Sequence, residues 1–412
     1  MKQSTSIIIG TLLLCILIIG ISALVNTPYT TDTTQDDNTL TTVNPTHLDV
    51  VTEATDAKLD VVVEEADDTS ESSEPLESEP SEEESIAQSE ETYLTPAVEY
   101  HTADEILTLY HLLALDQSVE IAYAVEPDMD GLTTSGALTD AVQINALNTL
   151  NFTRYIAGLS YNVILSQEHI QYAQDGATAL AAIGDGVDHY FDQPSWMSDS
   201  FYESASIGTA NSNLSAGRDN LSANIVHGWL SDEGEDNRNI LGHRRAILAP
   251  VMEATGFGFA YATTGIYRYY SSMSVIDIQL DNTLGVMWPA QTMPVEYFAN
   301  NYPWSFSPGS PVSTNTEVTI TRANDGATWY MKDDFIMGST GDGYITINND
   351  YYAQPGCIIF TPDNITYSAG DIYHVEINYT TTDHFTMKYT VEFISLSDEY
   401  EPQTQVTVVS LQ

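Results

Sequence analysis

From Thr102 onward, apolar residues recur at helical spacing. Ile106, Leu107, Tyr110 and Leu113 follow Thr102-Ala103-Asp104-Glu105, where a Thr and a Glu three apart form a capping box, so the spacing predicts a helix starting there. After a loop with Pro127 and Gly131, a second helix is expected over 140–157, carrying Ile144, Leu147, Leu150 and Arg154 and ended by Gly158. A third is expected over 167–183, with Ile170, Ala173, Ala177 and Leu180 on one face and Gly184 at its end. A fourth, over 219–230, stacks Leu221, Ile225 and Trp229, and a short fifth follows Gly242.

The period then falls to two. Phe257, Phe259 and Tyr261 alternate with small residues, Thr263-Thr264-Gly265 makes a turn, and 267–280 alternates again. Helices followed by a β meander predict an α+β domain with helices packed on an antiparallel sheet. After Trp288-Pro289, short β-rich runs at 318–321, 327–331, 344–347, 357–360, 373–379 and 388–394 are separated by Asn, Asp, Gly and Pro. That spacing predicts a small all-β sandwich, Ig-like in the loose sense. The organisation expected is a signal peptide or N-terminal membrane anchor at 1–25, a disordered acidic linker at 26–100, an α+β domain at 101–290 and a β-sandwich at 291–412.

Composition sharpens the two N-terminal segments. Lys2 precedes an uncharged apolar run from Ile7 to Val25, which fits an export signal and is also near the length of an uncleaved membrane anchor. Between 26 and 100, 21 carboxylates face the single Lys58, a composition that cannot bury enough apolar surface to order itself and reads as a stalk or solubilising tail. The net charge of −48 with 11 Lys and Arg excludes a nucleic-acid partner, whose phosphates need cations. Cys15 and Cys357 are the only cysteines, so the exported part has no internal disulfide and depends on its core. A secreted or extracellular membrane-face location follows, with a Gram-positive type of bacterial cell as the simplest source.

The segment 229–248 carries the candidate chemistry. An acidic loop with Asp232, Glu233, Glu235 and Asp236 runs into Gly242-His243-Arg244-Arg245-Ala246-Ile247-Leu248, and Gly256-Phe257-Gly258 follows. With Leu147 to Arg154, Gly158-Leu159, Ala173 to Ala177, His189, Ser212-Asn213-Leu214 and Trp229, this order of parts resembles the CAP superfamily, which contains cysteine-rich secretory proteins, antigens and pathogenesis-related proteins. The likeness to its bacterial SCP-like members covers about 104–280. It implies an α-β-α sandwich in which two histidines and two acids converge on a cleft.

The matching histidines are His189 and His243, as catalytic residues or metal ligands. One acidic position is occupied by Ser212, within Asn211-Ser212-Asn213. The second acid falls in the loop after Trp229, where spacing does not choose among Asp232, Glu233, Glu235 and Asp236; Asp232 and Glu235 join the two histidines as the candidate metal set. Such a set leaves open a divalent metal, zinc through the imidazoles or calcium through loop oxygens. Ser212 as a nucleophile has no local mark of activation. Arg244 and Arg245 fit pairing with the neighbouring acids better than grip on a substrate carboxylate or phosphate. Asp128-Met129-Asp130-Gly131 begins like a calcium loop but lacks its closing acid. His101, His111, His169, His227, His374 and His384 have no companion pattern and read as structural.

One acid short, the cleft is incomplete for catalysis, and the leading expectation is an extracellular binding module for a protein, lipid or cell-wall component. The resemblance implies the same, since members of the superfamily are linked to extracellular interaction and to lipid or sterol binding. A metal- or His-dependent extracellular hydrolase is the alternative. A structural or adhesive surface protein with a vestigial cleft is the third.

Overall fold

Helices α1 (Ala103–Leu113), α2 (Asp140–Ile156), α3 (Gln167–Ile183), α5 (Leu221–Asn224) and α6 (Gly242–Ile247) of the computed structural model lie where the apolar spacing predicts. The structure describes residues 93, 94, 96–113, 115, 119–232, 234 and 237–397. The run at 7–25 and nearly all of the acidic stretch at 26–100 lie outside them. Among the described residues no helix is long and apolar enough to cross a membrane. The capping box at α1 closes: Thr102 N donates to Glu105 Oε2 at 2.8 Å, and Glu105 N to Thr102 Oγ1 at 3.3 Å. The helix expected over 219–230 is α5 continued by a π-helical turn, Ile225–Trp229. Helix α4 (Asp199–Ala210) has no apolar signal, because its buried face is Ala205, Gly208 and Thr209.

Helices cover both faces of a three-stranded antiparallel sheet. Its strands β5 (Ser212–Ala216), β7 (Phe257–Tyr261) and β8 (Tyr269–Ser274) lie in the order β5-β8-β7. Alternation sends Leu214, Ala260 and Tyr270 to one face, where they meet Leu180 of α3 and Ala205 of α4. It sends Phe257, Phe259 and Met273 to the other, where they join Leu150 of α2, Ile225 and Trp229. The open edge of β7 is closed by side chains. Gln143 of α2 bonds both backbone groups of Phe257, at 2.6 and 3.2 Å, and Gln174 of α3 does the same for Phe259, at 2.9 and 3.1 Å. Two glutamine amides thus stand where a fourth strand would pair, which removes the exposed backbone that makes sheet edges adhesive. Two-residue ladders join β2 (Tyr123–Val125) to β3 (Ala137–Leu138), and β4 (Ile164–Leu165) to β6 (Ala254–Thr255).

The C-terminal half forms two further sheets. One has the order β1-β18-β17-β12-β13-β14, with β10 also on β18; the other is β15-β16-β11-β9. Their strands are β1 (Tyr93–Leu94), β9 (Val286–Trp288), β10 (Thr292–Pro294), β11 (Trp304–Ser307), β12 (Glu317–Arg322), β13 (Thr328–Asp334) and β14 (Gly338–Gly341). They continue as β15 (Gly343–Asn348), β16 (Cys357–Pro362), β17 (Ile372–Thr380) and β18 (His384–Ile394). The sheets face each other through aromatic rings: Phe306 of β11 lies against Tyr379 and Tyr389, and Trp304 against Tyr373. The α+β class expected from the sequence is therefore what the described residues form. Strand β9, before residue 290, pairs with β11 after it, and one hydrophobic cluster runs from Ile106 to Leu396.

His101, at the head of α1, sits in this shared core. Its ring stacks on Tyr155 at 3.7 Å, its carbonyl accepts Thr292 Oγ1, and its Nε2 has no hydrogen-bond partner. Burial lowers its pKa below the ordinary 6.5, against smaller opposing pulls from Glu99 and Glu105. The unfolded chain therefore takes up this proton before the folded one does. Stability from His101 is complete above pH 6.5 and falls as the pH drops from there through the lowered folded value. In urea unfolding at pH 7.5 and 5.5, His101→Gln should lose less stability on acidification than the parent protein; equal losses would contradict the account.

Candidate functional site

Helix α6 begins at an unusual junction. Leu241 at its N-terminus has φ +54°, and Asp232, eleven residues before His243, has φ +47°. Both are non-glycine residues in the left-handed region, which persists only where surrounding contacts hold it. The contacts at Asp232 are specific. Its side chain is fully buried; Oδ2 accepts Arg244 N–H at 3.0 Å and Oδ1 accepts His243 Nδ1 at 2.7 Å. A carboxylate at the first turn also meets the positive end of the helix. Asn213 of β5 donates through Nδ2 to the His243 carbonyl at 3.0 Å, fixing the same turn from the sheet.

This arrangement sets the tautomer of His243. A carboxylate can only accept, so Nδ1 carries the proton and Nε2 of the neutral ring keeps its lone pair. The ring is 21% exposed. His189 is set the same way. Its Nδ1 lies 2.7 Å from the Thr209 carbonyl, another obligate acceptor, while Thr209 Oγ1 donates to the His189 carbonyl at 3.1 Å. His189 is exposed, in the loop before α4. The structure anchors both expected histidines on one five-residue segment: His189 at Thr209 where α4 ends, and His243 at Asn213 in β5. Each keeps an accepting Nε2.

The remaining expected site residues fare differently. Asp232 is the carboxylate behind His243, and both its oxygens are engaged by that ring and by helix α6. Glu235 lies outside the described residues, as do Glu233 and Asp236. Among the described residues no three His, Cys, Asp or Glu side chains are gathered closely enough to hold a metal ion. The donor set they do offer, two imidazoles with Nδ1 tied to an acceptor, suits a borderline cation such as zinc and not the all-oxygen shell of calcium. Ser212 is buried, faces Ser274 across the β5–β8 ladder, and its Oγ has no hydrogen-bond partner. Neither histidine reaches it, so nothing activates it as a nucleophile. Asp128 is spent on its own loop, accepting the amides of Asp130, Gly131 and Thr133.

The two arginines correct the sequence reading. Among the described residues neither guanidinium meets a carboxylate; both bond carbonyls and neutral side chains. Arg244, buried, donates through Nε to the Leu230 carbonyl at 2.7 Å and through Nη2 to that of Ser231 at 2.9 Å. Its Nη1 donates to the Pro303 carbonyl and to Ser305 Oγ. Arg245 reaches Asn348 Oδ1 at 2.6 Å and the carbonyls of Asp350 and Gln354, with its guanidinium over the Tyr352 ring. Gly242-His243-Arg244-Arg245 is thus a joint: the His turns to Asp232, and both Arg reach strands or loops of the C-terminal sheets. The acids were close in sequence, but Arg244 points its head away from the helix start, toward carbonyls left bare by the π-helical turn and by the approach to β11.

Sequence reasoning missed that Asp232 serves as the carboxylate behind His243, although Asp232 was among its choices. It also missed Asn213, whose amide holds the His243 turn. The partner of His189, a backbone carbonyl, leaves no trace in residue identity. In comparisons with known proteins the chain matches no family model, no curated protein and no solved structure.

Proposed function

We propose that this chain is an exported CAP-type protein, displayed at or released from the cell surface, whose helical layer serves as an extracellular binding module. His189 and His243 form the polar centre of its cleft, and a divalent cation of zinc type is the species they take. The observation that carries this reading is the matched state of the two rings, each with Nδ1 tied to an obligate acceptor and Nε2 left to accept. Carboxylate and carbonyl partners of this kind orient imidazole ligands and raise their basicity. The helices on both faces of a three-stranded antiparallel sheet and the likeness over 104–280 support the CAP assignment. The ligand beyond the cation is a protein, lipid or cell-wall component.

The Asp232–His243 pair also supports the second reading, a His-dependent extracellular hydrolase, since the same pairing prepares a general base. Binding is favoured because Ser212 stands at one acidic position without an activating neighbour.

Zinc content after dialysis against a weak oxygen chelator, which strips the acidic N-terminal segment, tests the proposal. One equivalent should remain in the parent protein and be lost in His189→Ala and in His243→Ala, while both variants still unfold cooperatively. Asp232→Asn keeps both imidazoles and should weaken zinc by roughly 10–100-fold. A parent protein without zinc, or variants that bind it fully, would refute the site.

A further inference from the structure

Three of the four most exposed large hydrophobic side chains of the described residues are consecutive. Phe335, Ile336 and Met337, at the tip of the β13–β14 hairpin, are 77%, 88% and 75% exposed. Single exposed apolar residues are ordinary, but a contiguous triplet on a protruding turn marks an interaction site. The turn is built, not loose. Asp334 Oδ1 accepts the amides of Ile336 and Met337, each at 2.9 Å, and these two bonds hold its carboxyl below the usual range. β13 and β14 pair from Asp334↔Gly338 back to Met331↔Gly341. Two of the tip's backbone donors therefore have partners before any surface is met, which suits a medium unable to supply hydrogen bonds.

The surroundings of the tip separate the kinds of partner. One rung crosses the sheet from Lys332 through Glu317, Asn378 and Thr386 to Tyr93. The tip thus shares its end of the sheet with the start of β12, the β17–β18 turn and the point where the chain enters at β1. At that end Ser313, Thr314, Asn315, Thr380, Thr381 and Thr382 carry hydroxyls and amides, and Lys332 is paired with Glu317 at 3.0 Å. The charged residues left near the tip are acidic: Asp333, Asp334 and Asp383. The opposite end, by contrast, carries the Arg322–Asp325 ion pair and Asp371. A convex apolar spike, with hydroxyl- and amide-bearing turns at the same end of the sheet, matches the layered chemistry of a lipid interface. The local acids oppose an anionic surface.

We propose that Phe335-Ile336-Met337 inserts into the interface of a neutral, zwitterionic bilayer, docking this end of the C-terminal sheets on the membrane. The proposal is independent of the His189–His243 cleft. The test uses the full chain with Cys15→Ser, leaving Cys357 buried, and an environment-sensitive fluorophore on Ile336→Cys. A second protein carries the same label on Ala323→Cys, exposed in the β12–β13 turn at the far end. With phosphatidylcholine vesicles the label at 336 should shift to the blue and be quenched by brominated acyl chains, while the label at 323 should not respond. Adding Phe335→Ser and Met337→Ser should abolish the response, and phosphatidylserine in the vesicles should weaken it. Because the run at 7–25 can bring the whole chain to vesicles, the contrast between the two positions is decisive. Equal behaviour at 336 and 323, a stronger response to anionic vesicles, or a blue shift without lipid as protein concentration rises would each overturn the proposal, the last in favour of a second copy of this chain.

Discussion

Gly258→Ala is expected to lower stability by about 3 kcal/mol, the upper range for overpacking a close-packed core. Gly258 lies in β7 on the face that carries α3, and a Cβ there would stand 2.1 Å from the Ala173 carbonyl oxygen and 2.3 Å from its carbon. Both atoms are backbone, so no rotamer change relieves the clash and the helix itself must lift. The next residue of that helix, Gln174, makes both bonds that close the β7 edge at Phe259, so lifting α3 strains them as well. Gly326→Ala is the matched control. Its φ is +74°, but nothing lies within 4 Å of the added carbon, leaving only left-handed strain of about 1 kcal/mol. Urea unfolding of the two variants should separate them clearly; similar losses would mean that α3 does not rest on the glycine.

Gly258 also shows what the sequence could and could not reveal. The alternation Phe257, Phe259, Tyr261 was readable as a strand because each ring goes to one face. The glycine between the first two reads only as a small residue, since the helix it admits lies 85 positions earlier, at Ala173. Helices α1, α2 and α3 were legible for a local reason: their capping residues and apolar repeat lie in the same short window. Helix α4 was not, because a face of Ala, Gly and Thr buries itself against α3 without an apolar pattern, although Ser198 caps it at Phe201 N. At the site, His243 and the acidic loop were visible as types in order. The choice of Asp232 among four nearby acids rested on a left-handed turn that composition does not encode. For Arg244 and Arg245, charge suggested carboxylate partners. Carbonyl groups, invisible in residue identity, took those places.

Arg244→Leu should have the largest effect on both fold and site. The guanidinium is fully buried among the Leu230, Ser231 and Pro303 carbonyls and the Ser305 hydroxyl. Burial pushes it down to about 10, with Asp232 pulling the other way, so it remains a cation at neutral pH. Leucine fills part of the space and satisfies none of the acceptors, and a loss of about 3–5 kcal/mol is expected, since four buried acceptors lose their donor at once. Arg244→Lys should recover little, since one ammonium cannot span carbonyls that a planar fork reaches in three directions. The second consequence lies at His243. Arg244 Nη2 holds the Ser231 carbonyl and Arg244 N–H holds Asp232 Oδ2, so without the buried fork the turn that aims Asp232 at His243 Nδ1 loses an anchor. A displaced Asp232 no longer compels His243 to keep its proton on Nδ1. Urea unfolding should show the stability loss. Nitrogen NMR of His243 should show a mixture of tautomers in Arg244→Leu where the parent has one, and an unchanged ring signal would sever the link between the buried arginine and the candidate site.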